Sequence, residues 1–300
     1  MKLCGFFVLV VAAALPCHDA MAWGDEGHKV VAAIAYAHLK PAVKKKVDAL
    51  LAADKDMLTA PDFVSRATWA DKWRDSDRNT SKVRYNATYN WHFVDIEIDS
   101  PDLDAACFNH PPLPAGTAAS TGPANDCVVD KIDEFVAELR DSSTAQTEKI
   151  LDLKFIEHFV GDLHQPLHAA DHKDRGGNQV PVLYAKRTVP DNLHAYWDRN
   201  LVQRLGKDAI AVGTTLDKQI TTVEDGEWSK GTPAEWAKES FDDAKSVSYN
   251  FSGEQQFIDD HGGKGERLDA QYDNRALPVV REQLSKGGIR LAAVLNDALK

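Results

Sequence analysis

ILDLKFIEHFVGDLHQPLH, residues 150–168, is the stretch from which the fold is read. Its apolar side chains recur at near-helical spacing through Val160, and the run is too apolar for a loop. His158 and Asp162 stand four residues apart, so both fall on one helix face. Pro166 lacks an N–H and clashes with the preceding turn, so the helix is expected to bend or end there, sending His168 where an ideal helix would not. His158, Asp162 and His168 thus form one wall of an expected metal site.

Outward from this stretch, helical periodicity returns at 27–39, 41–51, 60–73, 128–139, 192–205, 233–247 and, with a break at Gly287 and Gly288, 277–299; the central helix spans 147–164. Residues 91–98 alternate roughly like a strand, and 179–189 reads as a small β-hairpin. Long loops are expected at 99–126 and 170–179. The fold class is mainly α, a single compact multi-helix domain over 23–300, since no linker of low complexity, repeat or charge block divides the chain.

Residues 1–22 read as a signal peptide. Lys2 precedes a short apolar run over 6–14, and Ala20 and Ala22 stand where a secretory peptidase reads small residues. The mature chain is then expected to begin at Trp23 and to be secreted or periplasmic, with no membrane anchor; a lipoprotein reading at Cys17 is disfavoured by Pro16. Only Cys107 and Cys127 remain after cleavage, in an oxidising compartment, and one disulfide between them is the economical inference. The formal net charge is −11, and removal of Lys2 with Asp19 leaves it there. A basic surface that would hold a polyanion is excluded, so a phosphate substrate has to be gripped locally, by bound cations and a few Arg or Lys.

Three more places space His and Asp for chelation: His194 with Asp198, Asp71 in WADKWR (69–74), and His92 in WHFVD (91–95). Imidazole and carboxylate without thiolate suit zinc in open catalytic sites. A freed Trp23 α-amine, with a pKa near 8, could close a chelate ring with its own carbonyl oxygen, and His28 lies near the start of the following helix.

Trp23, His28, WADKWR, WHFVDI, HFVGDLHQPLH, DRGGN and NLHAYWD occur in the order that resembles the zinc-dependent single-strand nucleases of the S1/P1 type, a fold relative of zinc phospholipase C. The resemblance runs over nearly the whole of 23–300, including the closing PVVREQL and GGIRLA segments. It implies a mainly α enzyme with three Zn2+ that cleaves single-stranded RNA and DNA to 5′-phosphorylated products and removes 3′-phosphates from nucleotides. By the same resemblance one zinc would take Asp71, His92, His158 and Asp162, and a second His168, His194 and Asp198. The third would take the Trp23 amine and carbonyl, His28 and the other oxygen of Asp162, making Asp162 a bridge.

Asp71 would orient the attacking water, between metals that lower its pKa. Arg74 would meet the scissile phosphate, where a forked guanidinium suits phosphate oxygens; its plain alternative is a surface ion pair with Asp75 or Asp77. Phe93 and Asp95 would hold a nucleobase by stacking and by its edge, which requires an unpaired base; a core position is the alternative for Phe93. The DRGGN loop (174–178) would lead into the hairpin, and Arg199 maps to no role. His38, His110, His164, His172 and His261 are left as surface or hydrogen-bonded groups, His164 with the option of orienting a ligand. Asn79, Asn86 and Asn250 begin glycosylation sequons. A zinc-dependent phospholipase C is the nearest rival, and a non-catalytic zinc-binding exported protein the other; no obligate protein partner is implied.

Overall fold

The computed structural model describes residues 23–253, 255–258 and 263–300; the expected leader 1–22 and His261 lie outside them. The chain is mainly helical. Its N-terminal part runs α1 (Gly24–His38), α2 (Pro41–Ala53), α3 (Phe63–Arg66), α4 (Trp69–Asp75), α5 (Val83–Thr88) and α6 (Leu103–Ala106). Then follow α7 (Val128–Arg140), α8 (Gln146–Leu163), a short turn α9 (Leu193–Ala195), α10 (Ala209–Asp217), α11 (Thr222–Trp228), α12 (Pro233–Asp243) and the long closing α13 (Ala270–Ala298).

The ends of these helices follow local chemistry. Lys40 is extended before Pro41, as the residue preceding a proline prefers, so α1 stops and α2 starts with its proline in the first turn. Thr221 with Glu224, and Thr232 with Glu235, close reciprocal capping boxes on α11 and α12. Asp62, Asp102, Asp208 and Asp269 each accept a backbone N–H at the start of α3, α6, α10 and α13.

Helix α8 is the axis of the molecule, buried on every side from Asp152 to Leu163. Beneath it an aromatic stack joins Phe135 to Phe155 at 4.7 Å, and Trp69 and Trp91 meet Phe155 edge-on at 5.3 and 5.8 Å. Each such pair contributes about 1 kcal/mol beyond its burial. Helix α1 lies against α13 and α10, and α7 against α8. The wall carrying His158 and Asp162 is therefore held rigid from behind.

A four-stranded sheet, order β2–β1–β4–β3, covers one end: β1 (Pro181–Tyr184), β2 (Asp191–Asn192), β3 (Gln255–Ile258) and β4 (Lys264–Leu268). β1 pairs antiparallel with β2 and parallel with β4. The hairpin expected at 179–189 thus closes later and is half of a larger sheet. Residues 91–98 are not a strand. They begin in a 3-10 turn (Tyr89–His92) and continue extended, with one bridge between Glu97 and Asp171, because their partner is the irregular stretch from His168 to Asp171 rather than another strand.

Three other expectations are corrected. The helix expected at 60–73 is broken at Ala67 and Thr68, and the one expected over 192–205 passes through a π-helical segment, Tyr196–Leu201. Gly287 and Gly288 do not break α13. A Cβ on Gly288 would lie 2.5 Å from Ile34, so that glycine permits α1 to approach closely. Cys107 and Cys127 form the expected disulfide, Cα atoms 4.9 Å apart, tying the 99–126 loop to the start of α7. For a loop of this length that stabilises by about 3 kcal/mol.

Candidate metal centre

Helix α8 ends at Leu163, and Pro166 opens a 3-10 turn that ends at His168. This places His168 beside His92, whose carbonyl accepts the His168 Nδ1–H at 2.7 Å. Two groups of side chains become contiguous there. In the first, Asp162 turns Oδ2 to His92 Nδ1 at 3.0 Å and to His158 Nε2 at 3.3 Å, and Oδ1 to His28 Nε2 at 3.2 Å. Asp71 faces His92 and His158 at 3.5 Å each. In the second group, His168 and His194 bring their Nε2 atoms within 3.0 Å, and Asp198 Oδ2 lies 3.5 Å from His194 Nε2. All eight side chains are buried.

The positions are built locally. Ala67, at the break between α3 and α4, offers its carbonyl to His158 Nδ1 at 2.7 Å, which a continuous helix would have used internally. Asn192 caps α9 and so fixes His194, whose Nδ1 donates to the Gly176 carbonyl at 2.6 Å. Asp198 sits in the π-helical segment, gripped on either side: Tyr196 donates to Asp273, and Trp197 Nε1 donates to Tyr272 Oη at 2.8 Å. Trp23 is fully buried at the start of α1, where its carbonyl accepts the Gly27 N–H at 3.0 Å. Gly24, next to it, packs against the Asp198 backbone.

These groups fit a metal better than they fit one another. His158, His168 and His194 commit Nδ1–H to backbone carbonyls, so each presents an Nε2 lone pair to the site. Two such lone pairs 3.0 Å apart repel unless a cation lies between them. Both ring nitrogens of His28, Asp162 Oδ1 and Asp198 Oδ2 are buried without a hydrogen-bond partner. In a folded protein such acceptors are otherwise costly. The nitrogen and oxygen donor set, without thiolate, is that of an open zinc site.

Electrostatics point the same way. Burial pushes Asp198 well above the usual carboxylate range, although Gln165 donates to it. Burial lowers His194 to about 3 and His92 to about 4. Burial opposes charge on His158 as well, yet the Asp162 and Asp71 carboxylates outweigh it and raise His158 to about 10, so that without a cation its Nε2 carries a proton in the place a metal would take. Burial acts to raise Asp71, but Arg74 and His158 hold it ionised far below its ordinary value.

Arg74 is buried beside this centre. Nη1 lies 2.8 Å from Asp71 Oδ1, and Nε and Nη2 fork onto Asp75. Its pair with Asp75 is thus real, but it is not a surface pair. Phe93 is half-buried rather than a core residue, and meets Tyr89 edge-on at 5.3 Å. Asp95 is exposed two residues beyond. Arg199 lies near Asp191 at 3.7 Å.

Among the remaining histidines, His38, His110 and His172 face carboxylates away from the centre. His164 bonds Val160 and Arg290 and orients no ligand.

Three further residues shape the centre, and sequence reasoning missed two of them, Gln165 and Gly161. Gln165 donates Nε2–H to Asp198 Oδ1 at 2.6 Å and accepts the Leu167 N–H at 2.7 Å, which fixes its amide. A Cβ on Gly161 would meet His28 Nδ1 at 2.7 Å, so the His28 ring packs directly on the α8 backbone. Gly176, at φ +60°, would put a Cβ 2.5 Å from the Leu167 carbonyl. The sequence signal for Gln165 was its place between two metal-capable residues; Gly161 gave none, and Gly176 was marked only as part of the DRGGN loop.

Among known proteins, the family model described as S1/P1 Nuclease matches residues 23–300. Endonuclease 2 of Arabidopsis thaliana is 30% identical over 91% of this chain and 89% of its own length. Nuclease S1 of Aspergillus oryzae is 27% identical over 91% of each chain, and Nuclease P1 of Penicillium citrinum is 27% identical over 92% of this chain and 97% of its own.

Proposed function

The chain belongs to the S1/P1 nuclease family, and from that premise we propose that it is a zinc-dependent endonuclease of single-stranded RNA and DNA that yields 5′-phosphorylated products and also removes 3′-phosphates from nucleotides. The observation that carries the zinc reading is the facing pair of Nε2 lone pairs on His168 and His194, with Asp198 beside them. Asp71, His92, His158 and Asp162 would hold one ion, and His168, His194 and Asp198 a second. A third would take His28, Asp162 Oδ1 and the Trp23 amine and carbonyl once a leader is removed; the family match begins at Trp23.

Zinc bound there neutralises charge on phosphate oxygens and lowers the pKa of a nearby water. The rest is done by this chain's side chains. Arg74, pinned between Asp71 and Asp75, presents a guanidinium that cannot lose its proton to the phosphate. Asp71, kept ionised by that same guanidinium, orients the attacking water. The half-exposed Phe93 ring takes a base face, and the exposed Asp95 carboxyl its edge. Base stacking of this kind selects for unpaired strands.

No helix among the described residues is long and apolar enough to cross a membrane, and we read the enzyme as exported. The test is metal content and product end groups, measured on protein beginning at Trp23 and supplied with single-stranded DNA, RNA or phosphatidylcholine. Three bound zincs and 5′-phosphate ends are expected. Lipid turnover without nucleotide release, or full activity in metal-free protein, would overturn the proposal.

A further inference from the structure

Helix α5 and the turn after it carry aromatic side chains that do little for the core. Thr88 is the buried residue of α5, while Tyr85 and Tyr89, four residues apart and so on one face, are half-buried. Tyr89 meets Phe93 edge-on at 5.3 Å, and Tyr85 lies 5.3 Å from Tyr89 with the rings tilted by 41°. The three rings form a continuous ladder leading away from His92. Two arginines line it: Arg175 Nη2 donates to Tyr89 Oη at 2.8 Å, and the Arg78 guanidinium lies 4.9 Å over the Tyr85 ring; Arg84 turns instead to Trp73 and Ser76.

The charge of this segment runs against that of the chain. The whole sequence stands at −11, yet residues 74–89 carry four basic side chains, Arg74, Arg78, Lys82 and Arg84, against Asp75 and Asp77. Both carboxylates are engaged: Asp75 by Arg74, and Asp77 by Ser81 Oγ and the backbone N–H groups of Arg84 and Tyr85. Aromatic faces interleaved with guanidinium groups are what a single strand needs, because every base has a π-face and every linkage a negative charge. Steps of 5.3 Å exceed the roughly 3.4 Å rise per nucleotide of a duplex strand. They suit bases spread onto separate rings.

We propose that Tyr89 and Tyr85, with Arg175 and Arg78, continue from the Phe93 base site as a distal track that binds the nucleotides of a single strand next to the one being cleaved. This rests on the nuclease reading above and deepens it. The enzyme should therefore favour oligonucleotides over dinucleotides, and Tyr85, farthest along the track, should matter only for longer substrates.

The test compares kcat/KM per internal phosphodiester linkage on dithymidylate and tetrathymidylate for the zinc-loaded wild type, Tyr85→Ala and Tyr85→Phe. The gain from two to four nucleotides is a ratio within each protein, so a general loss of folded enzyme cancels. Wild type should gain about fivefold or more, the size of one lost base stack. Tyr85→Ala should flatten the gain to within twofold, and Tyr85→Phe, which keeps the ring, should preserve it. Arg78→Gln should lower the salt dependence on tetrathymidylate but not on dithymidylate. Hydrolysis with no gain in wild type, or with the same gain in Tyr85→Ala, overturns the track while leaving the nuclease intact. Absence of hydrolysis on both substrates overturns the nuclease reading itself.

Discussion

Asp162 is the residue on which both sides of the first metal group meet, with Oδ1 toward His28 and Oδ2 toward His92 and His158. Asp198 serves only the second group. Replacing Asp162 by Asn should therefore release more than one zinc per chain, and Asp198→Asn about one, as read by metal analysis after dialysis; equal losses would refute the bridge. Gln165 belongs to the same scale. It holds Asp198 Oδ1, leaving Oδ2 for the metal side. Gln165→Leu should weaken zinc at His168, His194 and Asp198 by about 10- to 100-fold, the usual loss when a ligand's partner is removed. Chelator competition measures it, and an unchanged affinity would make Gln165 merely a packing residue. The carboxylates and imidazoles that the fold brings together were legible one by one, because His158 with Asp162 and His194 with Asp198 repeat helical spacing. Gln165 was not, because its role exists only once α8 and the π-helical segment meet.

At the scale of elements, α1, α2 and α7 were legible because one apolar face meets one core, which writes a 3.6-residue period into the chain, and α8 because its apolar run is too long for a loop. The misread elements answer to distant partners. The helix expected at 60–73 breaks where Ala67 gives its carbonyl to His158, 91 positions away in sequence. β4 pairs in parallel with β1 across more than 80 residues, so no local turn announces it. Gly161 illustrates the conflict between local and tertiary demands. Ala in a helix interior is favoured over Gly by about 1 kcal/mol, yet here its methyl would lie 2.7 Å from His28 Nδ1. Overpacking costs about 1–3 kcal/mol, so Gly161→Ala should lower thermal stability and displace the His28 ring. Loss of one zinc with retention of the His168 group's zinc is the expected signature. A variant more stable than wild type with all its metal would show that α8 and α1 have room to part.

For the molecule as a whole, acidity sets a limit on stability that the metal centre does not relieve. Asp152 is fully buried on α8, where no donor reaches either carboxylate oxygen and its hydrogen-bond neighbour is another carboxyl, Glu138. Glu138 on α7 and Glu148 on α8 are its charged neighbours, and both also hold the Ala119–Thr121 turn, through the Ala119 N–H and Ser120 Oγ. Burial first, and then repulsion from these two glutamates, raise Asp152 to about 9, with Lys149 opposing. A carboxyl whose folded pKa exceeds its unfolded value of about 4 stabilises the fold fully below that value, and the contribution is lost as pH rises through the folded one. Wild-type stability should thus fall between about pH 4 and pH 9, by up to about 1.4 kcal/mol per unit from this group. The net charge of −11 adds self-repulsion of the same sign. Asp152→Asn isolates the residue, since its amide stays neutral and can donate to Glu138 as the protonated acid does. The variant should melt within a degree or two of wild type at pH 4 and several degrees above it at pH 8. If it melts lower by the same margin at both pH values, Asp152 is ionised and paired in the folded protein, and α7 and α8 are joined by a charge rather than by a shared proton.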